Sequence, residues 1–114
     1  IAVGMGAAAA HALKAILPPE QLALVTLAVD YQMWHALALL AVGLLANRQP
    51  GSRLLSLSGS AFVLGSLFFC GGLYNLAFGG PTLFHPLVPA GGGLFILGWL
   101  SLAGSVAFSS RREP

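Results

Sequence analysis

The sequence predicts an all-α integral membrane protein built as a bundle of four transmembrane helices, and three observations carry that reading. Of its 114 residues 57% are hydrophobic and only 7% are charged, whereas a water-soluble domain carries about a quarter charged residues. Four apolar stretches stand in the chain, each at or near the roughly 20 helical residues that cross a hydrocarbon core about 30 Å thick. Between them lie proline and glycine clusters that stop a helix.

The first apolar stretch covers residues 1–17 and ends at Pro18-Pro19, because proline lacks the amide proton that a helix interior needs. "AAAAHA" has the small-x-small spacing of a signal-peptide cleavage site, but no basic region precedes it. Residues 1–17 are therefore expected to form most of a first membrane helix, with some N-terminal residues missing or removed. A second helix is expected over 21–46; it is long for one crossing, so "EQLALVTLA" is assigned to the interface or to a tilted first turn. "NRQPGSR" at 47–53 is a polar turn around Pro50-Gly51. A third helix is expected over 54–78, and "GGPTLFHPLVP" then breaks the helix twice before a fourth over 89–108. The tail "SSRREP" is expected in water. The whole chain, residues 1–114, reads as a single membrane domain with no soluble part.

Charge reports orientation rather than ligand. Lys14, Arg48, Arg53, Arg111 and Arg112 oppose Glu20, Asp30 and Glu113, a net charge of +2 that is too sparse for a nucleic-acid footprint. Basic residues are retained on the cytoplasmic side of short loops. Arg48 and Arg53 flank the second loop and Arg111 and Arg112 follow the fourth helix, so both termini are expected in the cytoplasm. Lys14 is the one dissenting charge. Cys70 has no cysteine partner and lies in an apolar run, where it reads as a small packing residue.

The expensive residues are His11, Lys14, Asp30 and His35. An ionised group in a membrane helix costs about 2.5–3.5 kcal/mol on insertion scales and normally faces protein or water. On the first helix Gly4, Ala7, Ala8, His11, Lys14 and Ala15 share a face, and on the second Tyr31, His35, Ala38 and Val42 do. Consecutive helices on a short loop pack antiparallel. The expectation is that Lys14 meets Asp30 near the outer surface while His11 approaches His35 below, with Tyr31 on their rim. Interhelical hydrogen bonding is the favoured role of this cluster, ahead of a metal, haem or quinone site and of a proton or ion pathway. Two histidines without a cysteine or carboxylate cluster fall short of the ligand count of zinc, and Met5 with Met33 makes a weak case for copper(I). No metal and no cofactor is expected.

His85 reads as an exposed loop histidine, Trp34 and Trp99 as lipid or packing anchors, and Tyr74-Asn75 as an interfacial anchor. "PAGGGLFILGW" at 89–99 puts Pro89 in a first turn and bares the backbone at Gly91, Gly92 and Gly93. Such an end can attract an anion, but close packing of a neighbouring helix is the favoured reading. Small residues spaced by four support close backbone contacts: Ala2 with Gly6, Gly4 with Ala8, Gly6 with Ala10, Ala61 with Gly65, Ser66 with Cys70 and Ser101 with Ser105. There is no phosphate-binding Gly-Lys-Ser loop, no HExxH and no carboxylate pair, so an enzyme is not expected.

"GAAAAHALK" at 6–14, "YQMWHALALL" at 31–40, "FCGGLY" at 69–74 and "VPAGGGLFILGW" at 88–99 together resemble the YgdD-like family of small bacterial inner-membrane proteins, which has mitochondrial relatives and no assigned function. His11, Tyr31, His35, Pro89, Gly91, Gly92, Gly98 and Trp99 match the family pattern. Ala9 stands where a glycine is usual, Cys70 and Gly72 replace two serines and Val88 replaces a threonine, which removes hydroxyls from helix three and its neighbour. The resemblance implies a four-helix protein of the bacterial inner membrane and carries no activity or cofactor. The expected role is a structural or accessory subunit that packs in a homo-oligomer or a larger membrane complex, such as a respiratory one. The competing class is a small transporter or ligand-binding protein that uses His11, His35 and Asp30.

Overall fold

A computed structural model describes the backbone of residues 1–112 and the side chains of residues 1–108. The side chains of the polar tail, residues 109–114, with Arg111, Arg112 and Glu113 among them, lie outside the described residues. The described chain is all helical: α1 (Ala2–Ala10), α2 (Ala12–Ile16), α3 (Pro19–Arg48), α4 (Arg53–Gly65), a π-helical turn (Ser66–Cys70), α5 (Gly71–Ala77), a 3-10 turn (Thr82–Phe84) and α6 (Leu87–Arg112). These make four rods: α1 with α2, α3 alone, α4 with α5 through the π turn, and α6. Three of them, Pro19–Arg48, Arg53–Ala77 and Thr82–Phe108, are long and apolar enough to cross a membrane.

The punctuation has local causes. Pro19 sits at the first position of α3, where its missing amide costs nothing. Ser52 caps α4 by accepting a hydrogen bond from the Leu55 amide at 3.3 Å. After α5 the chain turns at Gly79, whose φ of +72° is left-handed. There the Gly80 amide donates to the Asn75 carbonyl at 2.8 Å and the Gly79 amide to the Leu76 carbonyl at 3.2 Å, the paired bonds of a Schellman stop. The first rod breaks at His11, whose φ and ψ of −121° and −81° leave the helical region; nothing in the local sequence explains that break.

The rods do not close into a four-cornered bundle. The protein measures 58 × 28 × 16 Å, and its larger core gathers Ala28, Ala38 and Val42 of α3, Leu55 and Phe62 of α4, Cys70, Leu73 and Phe95. That core joins three rods. The first rod lies outside it, with Ala9, Val25 and Ala77 forming a smaller core.

The tightest packing joins α4 and its π turn to α6, and it is a packing of rings over glycines. A Cβ on Gly98 would stand 2.6 Å from the Phe62 ring, and one on Gly65 would stand 2.7 Å from the Phe95 ring. Each helix thus sets a phenylalanine into the gap that the other's glycine leaves. Farther up, a Cβ on Gly91 would lie 2.8 Å from the Phe69 Cα. The obstacle there is backbone, so it has no rotamer by which to escape. At Gly93 nothing stands within 4 Å. Gly91→Ala is therefore expected to lower stability by about 1–3 kcal/mol through overpacking, while Gly93→Ala leaves it unchanged or raises it by up to about 1 kcal/mol through helix propensity. Thermal unfolding of both variants in detergent checks this, and equal melting temperatures would refute the close approach.

Candidate functional site

Vertical register decides which polar residues can meet. The first rod reaches α3 through Leu17 and Pro18 alone, so the two pair from the first turn of α3. A Cβ on Gly6 would lie 3.4 Å from Val29 Cγ1, and Ala9 and Thr26 line one crevice. The same antiparallel register puts His11 level with Leu24, Lys14 with Gln21 and Met5 with Asp30. His35 then stands about 16 Å from His11 along the axis, and Lys14 about 13 Å from Asp30, at 1.5 Å per residue.

The expected contacts accordingly do not form. His11, Lys14 and Asp30 are all exposed, and among the described residues neither Lys14 with Asp30 nor His11 with His35 makes a bond. The expectation measured depth from Leu17 and Leu27 as if they were level, and the two-residue connection makes Leu17 level with the start of α3 instead. Depth also explains how these groups are tolerated. Counting a hydrocarbon core of about 20 residues from the end that carries Arg48 and Arg53 reaches roughly Leu27, Tyr74 and Val88. His11 and Lys14 lie beyond that edge, and Asp30 is only about 5 Å inside it.

Of the polar residues predicted to cluster, His35 is the one that is interior, at 4% exposure, and its partner comes from α6. The Trp99 indole N–H donates to His35 Nε2 at 3.1 Å, and His35 Nδ1 lies 2.6 Å from the Tyr31 carbonyl oxygen. An indole nitrogen can only donate and a carbonyl can only accept. His35 is therefore neutral with its proton on Nδ1, and both ring nitrogens are occupied. Phe95 stacks on the imidazole with centroids 3.6 Å apart and planes 11° apart, and the Phe62 ring lies 5.5 Å away. Neither nitrogen is left to ligate a metal or a haem iron. Among the described residues no three of His, Cys, Asp and Glu gather where they could share an ion.

Two further ties cross between rods. The buried Ser58 hydroxyl donates to the Gly98 carbonyl at 2.8 Å, and the Tyr74 hydroxyl donates to Gln32 Oε1 at 2.8 Å. Sequence reasoning passed over Ser58, Phe62, Phe95 and the role of Trp99. The available signal was spacing: Gly91, Phe95, Gly98 and Trp99 share a face of α6, as Ser58, Phe62 and Gly65 do on α4.

Beside His35 an aromatic cleft of about 810 Å³ opens between α3, the π turn and α6, bounded by Tyr31, Trp34, Phe69, Phe95 and Trp99. Pro89, Gly92 and Gly93 complete its wall. The glycines of "PAGGG" thus divide. Gly91 is buried against the π turn, Gly92 meets the Phe69 ring at 4.0 Å and Gly93 faces open space. Pro89 is exposed in the first turn of α6.

Comparison with known proteins gives relatives of the same kind. A family model described as "Protein of unknown function (DUF423)" matches residues 5–92. A UPF0382 membrane protein of Haemophilus influenzae is 43% identical over 101 residues, which cover 89% of this chain and 80% of that protein. The UPF0382 membrane protein YwdK of Bacillus subtilis is 33% identical over 102 residues, with 90% and 83% covered. The UPF0382 inner membrane protein YgdD of Escherichia coli is 32% identical over 107 residues, with 93% and 81% covered. No solved structure matches.

Trp99→Phe removes the indole donor and leaves His35 Nε2 unpaired, and is expected to cost about 0.6–1.7 kcal/mol, the range of interhelical hydrogen bonds in membranes. His11→Ala is expected to be near neutral. Unfolding of His11→Ala, His35→Ala and the double variant should give additive losses, and a coupling above about 0.5 kcal/mol would contradict the register.

Proposed function

The chain belongs to this family of membrane proteins of unknown function, and from that premise we propose that it is a non-enzymatic structural or accessory subunit of the bacterial inner membrane. The observation that carries the reading is how its interior polar groups are used. His35, Ser58 and Tyr74 each tie one rod to another, and such bonds hold a scaffold rigid without leaving a reactive group exposed to substrate. A flat unit, 28 × 16 Å in its two short dimensions, also offers more of its helical surface to neighbours than a round bundle does. Leu37, Leu40, Leu44, Ile96 and Leu100 are all exposed on it. The partner is a second copy of the chain or a larger membrane complex, such as a respiratory one.

In this reading the first rod is the outer part of a fourth membrane helix, antiparallel to α3, with Ala2 about 9 Å inside the edge near Leu27. Arg48 and Arg53 lie in the cytoplasm with both termini, and the loop that carries His85 faces the opposite side.

Gentle extraction followed by native mass measurement tests the assembly. An assembly of fixed stoichiometry, heavier than the 11.7 kDa chain, is expected, and a monodisperse monomer in mild detergent and in nanodiscs would sink the proposal. Topology has its own test. His85→Cys in intact cells is expected to react with a membrane-impermeant maleimide while Ser52→Cys stays protected until the membrane is opened; the reverse pattern inverts the orientation.

A further inference from the structure

We propose that the aromatic cleft beside His35 binds the ring of a lipophilic quinone, with the isoprenoid tail leaving between α3 and α6 into the bilayer. This goes beyond a scaffolding role and does not depend on it.

The first argument is shape. The cleft holds about 810 Å³, within the range of roughly 300–1,000 Å³ of small-molecule sites. Its walls are aromatic: the Tyr31 ring lies 4.7 Å from that of Phe69 and 5.1 Å from that of Trp34, tilted by 33° and 46°, and Phe95 lies flat on His35. Gly92 and Gly93 add bare backbone. Aromatic rings favour offset-stacked or edge-to-face contact with a planar ring, whereas a saturated acyl chain gains no such geometry.

Hydrogen bonding is the second argument. The His35 nitrogens are both spent, so no base and no ligand for a metal is on offer. Two donors are free: among the described residues the Tyr31 hydroxyl and the Trp34 indole N–H bond to no protein group. Both groups can donate, the Trp34 indole only so and the Tyr31 hydroxyl with an oxygen that also accepts, and a neutral molecule with acceptor oxygens, such as the carbonyls of a quinone, can pair with the two.

Depth is the third. Tyr31 lies about 6 Å inside the hydrocarbon edge near Leu27, and Trp99 about 16 Å inside the edge near Val88. A ring placed there keeps its carbonyls near the polar boundary while its tail continues toward the bilayer centre past the exposed Ile96. Binding alone is proposed, with no electron transfer.

Both tryptophans of the chain line the cleft, so intrinsic fluorescence reads it directly. Decylubiquinone is titrated into the protein in phosphatidylcholine nanodiscs, beside Gly93→Leu and Tyr31→Phe. Gly93 has open space around it, so leucine fills the cleft without disturbing the His35–Trp99 bond, and circular dichroism confirms the fold. Saturable quenching is expected in the natural protein. Gly93→Leu should lose the saturable component, and Tyr31→Phe should weaken half-saturation about 5–10-fold for the lost hydrogen bond. Quenching that rises linearly with quinone and is the same in all three proteins would overturn the proposal. Saturating quenching by brominated phosphatidylcholine that decylubiquinone does not relieve would overturn it in favour of an acyl chain. A dimer that Gly93→Leu converts to monomer, without quinone-dependent quenching, would overturn it in favour of a second copy.

Discussion

The close approach of α4 and its π turn to α6 is the constraint on which the other features rest. In lipid there is little hydrophobic drive between helices, so association depends on how near the backbones come. Here Phe62 fills the gap at Gly98 and Phe95 the gap at Gly65. The exchange of rings does two things at once. It brings the Ser58 hydroxyl within 2.8 Å of the Gly98 carbonyl, and it presents Phe95 and Trp99 together toward α3, where the one takes the face of His35 and the other its Nε2. A side chain on either glycine would separate the helices and unseat the histidine.

The π turn belongs to the same constraint. A π turn inserts a residue into an α-helix and redirects the side chains around it. In this protein it sets the backbone of Phe69 against Gly91 and turns its ring to Tyr31, 4.7 Å away. The aromatic cleft is thus a by-product of the packing: rings that seal the helix contact on one side form a wall on the other. Its open side is where α6 carries glycine rather than a side chain.

Polar residues in the chain fall into two groups with different physics. His11, Lys14 and Asp30 are exposed at or near the polar boundary, where an ionised group needs no protein partner. His35 is interior, and the cost of an unpaired imidazole there is avoided by a hydrogen bond at each nitrogen.

Composition, the four apolar runs and the proline and glycine breaks were enough to place this chain among helical membrane proteins and to locate its turns, because those signals are local. The periodicity also put Tyr31, His35, Ala38 and Val42 on one inward face, and three of these four are buried. What periodicity leaves open is the height of one rod against the next. Pairing His11 with His35 and Lys14 with Asp30 needed that height, and it is set by the two-residue link at Leu17-Pro18 together with the fit of Val29 to Gly6. Trp99 as the partner of His35 was hidden for the same reason: the two lie 64 residues apart, and nothing local in either segment encodes the crossing of α6 at which they meet. The sequence by itself determined the solvent this protein folds in and the inward face of α3, since both follow from hydrophobic content and helical spacing; on the first rod the face of Gly4, Ala7, His11, Lys14 and Ala15 is exposed and Ala2 and Ala9 are buried instead, because small residues alone do not mark which side a neighbour takes. Tertiary structure alone decided who meets whom, because that depends on the complementarity of rings and glycines across a crossing.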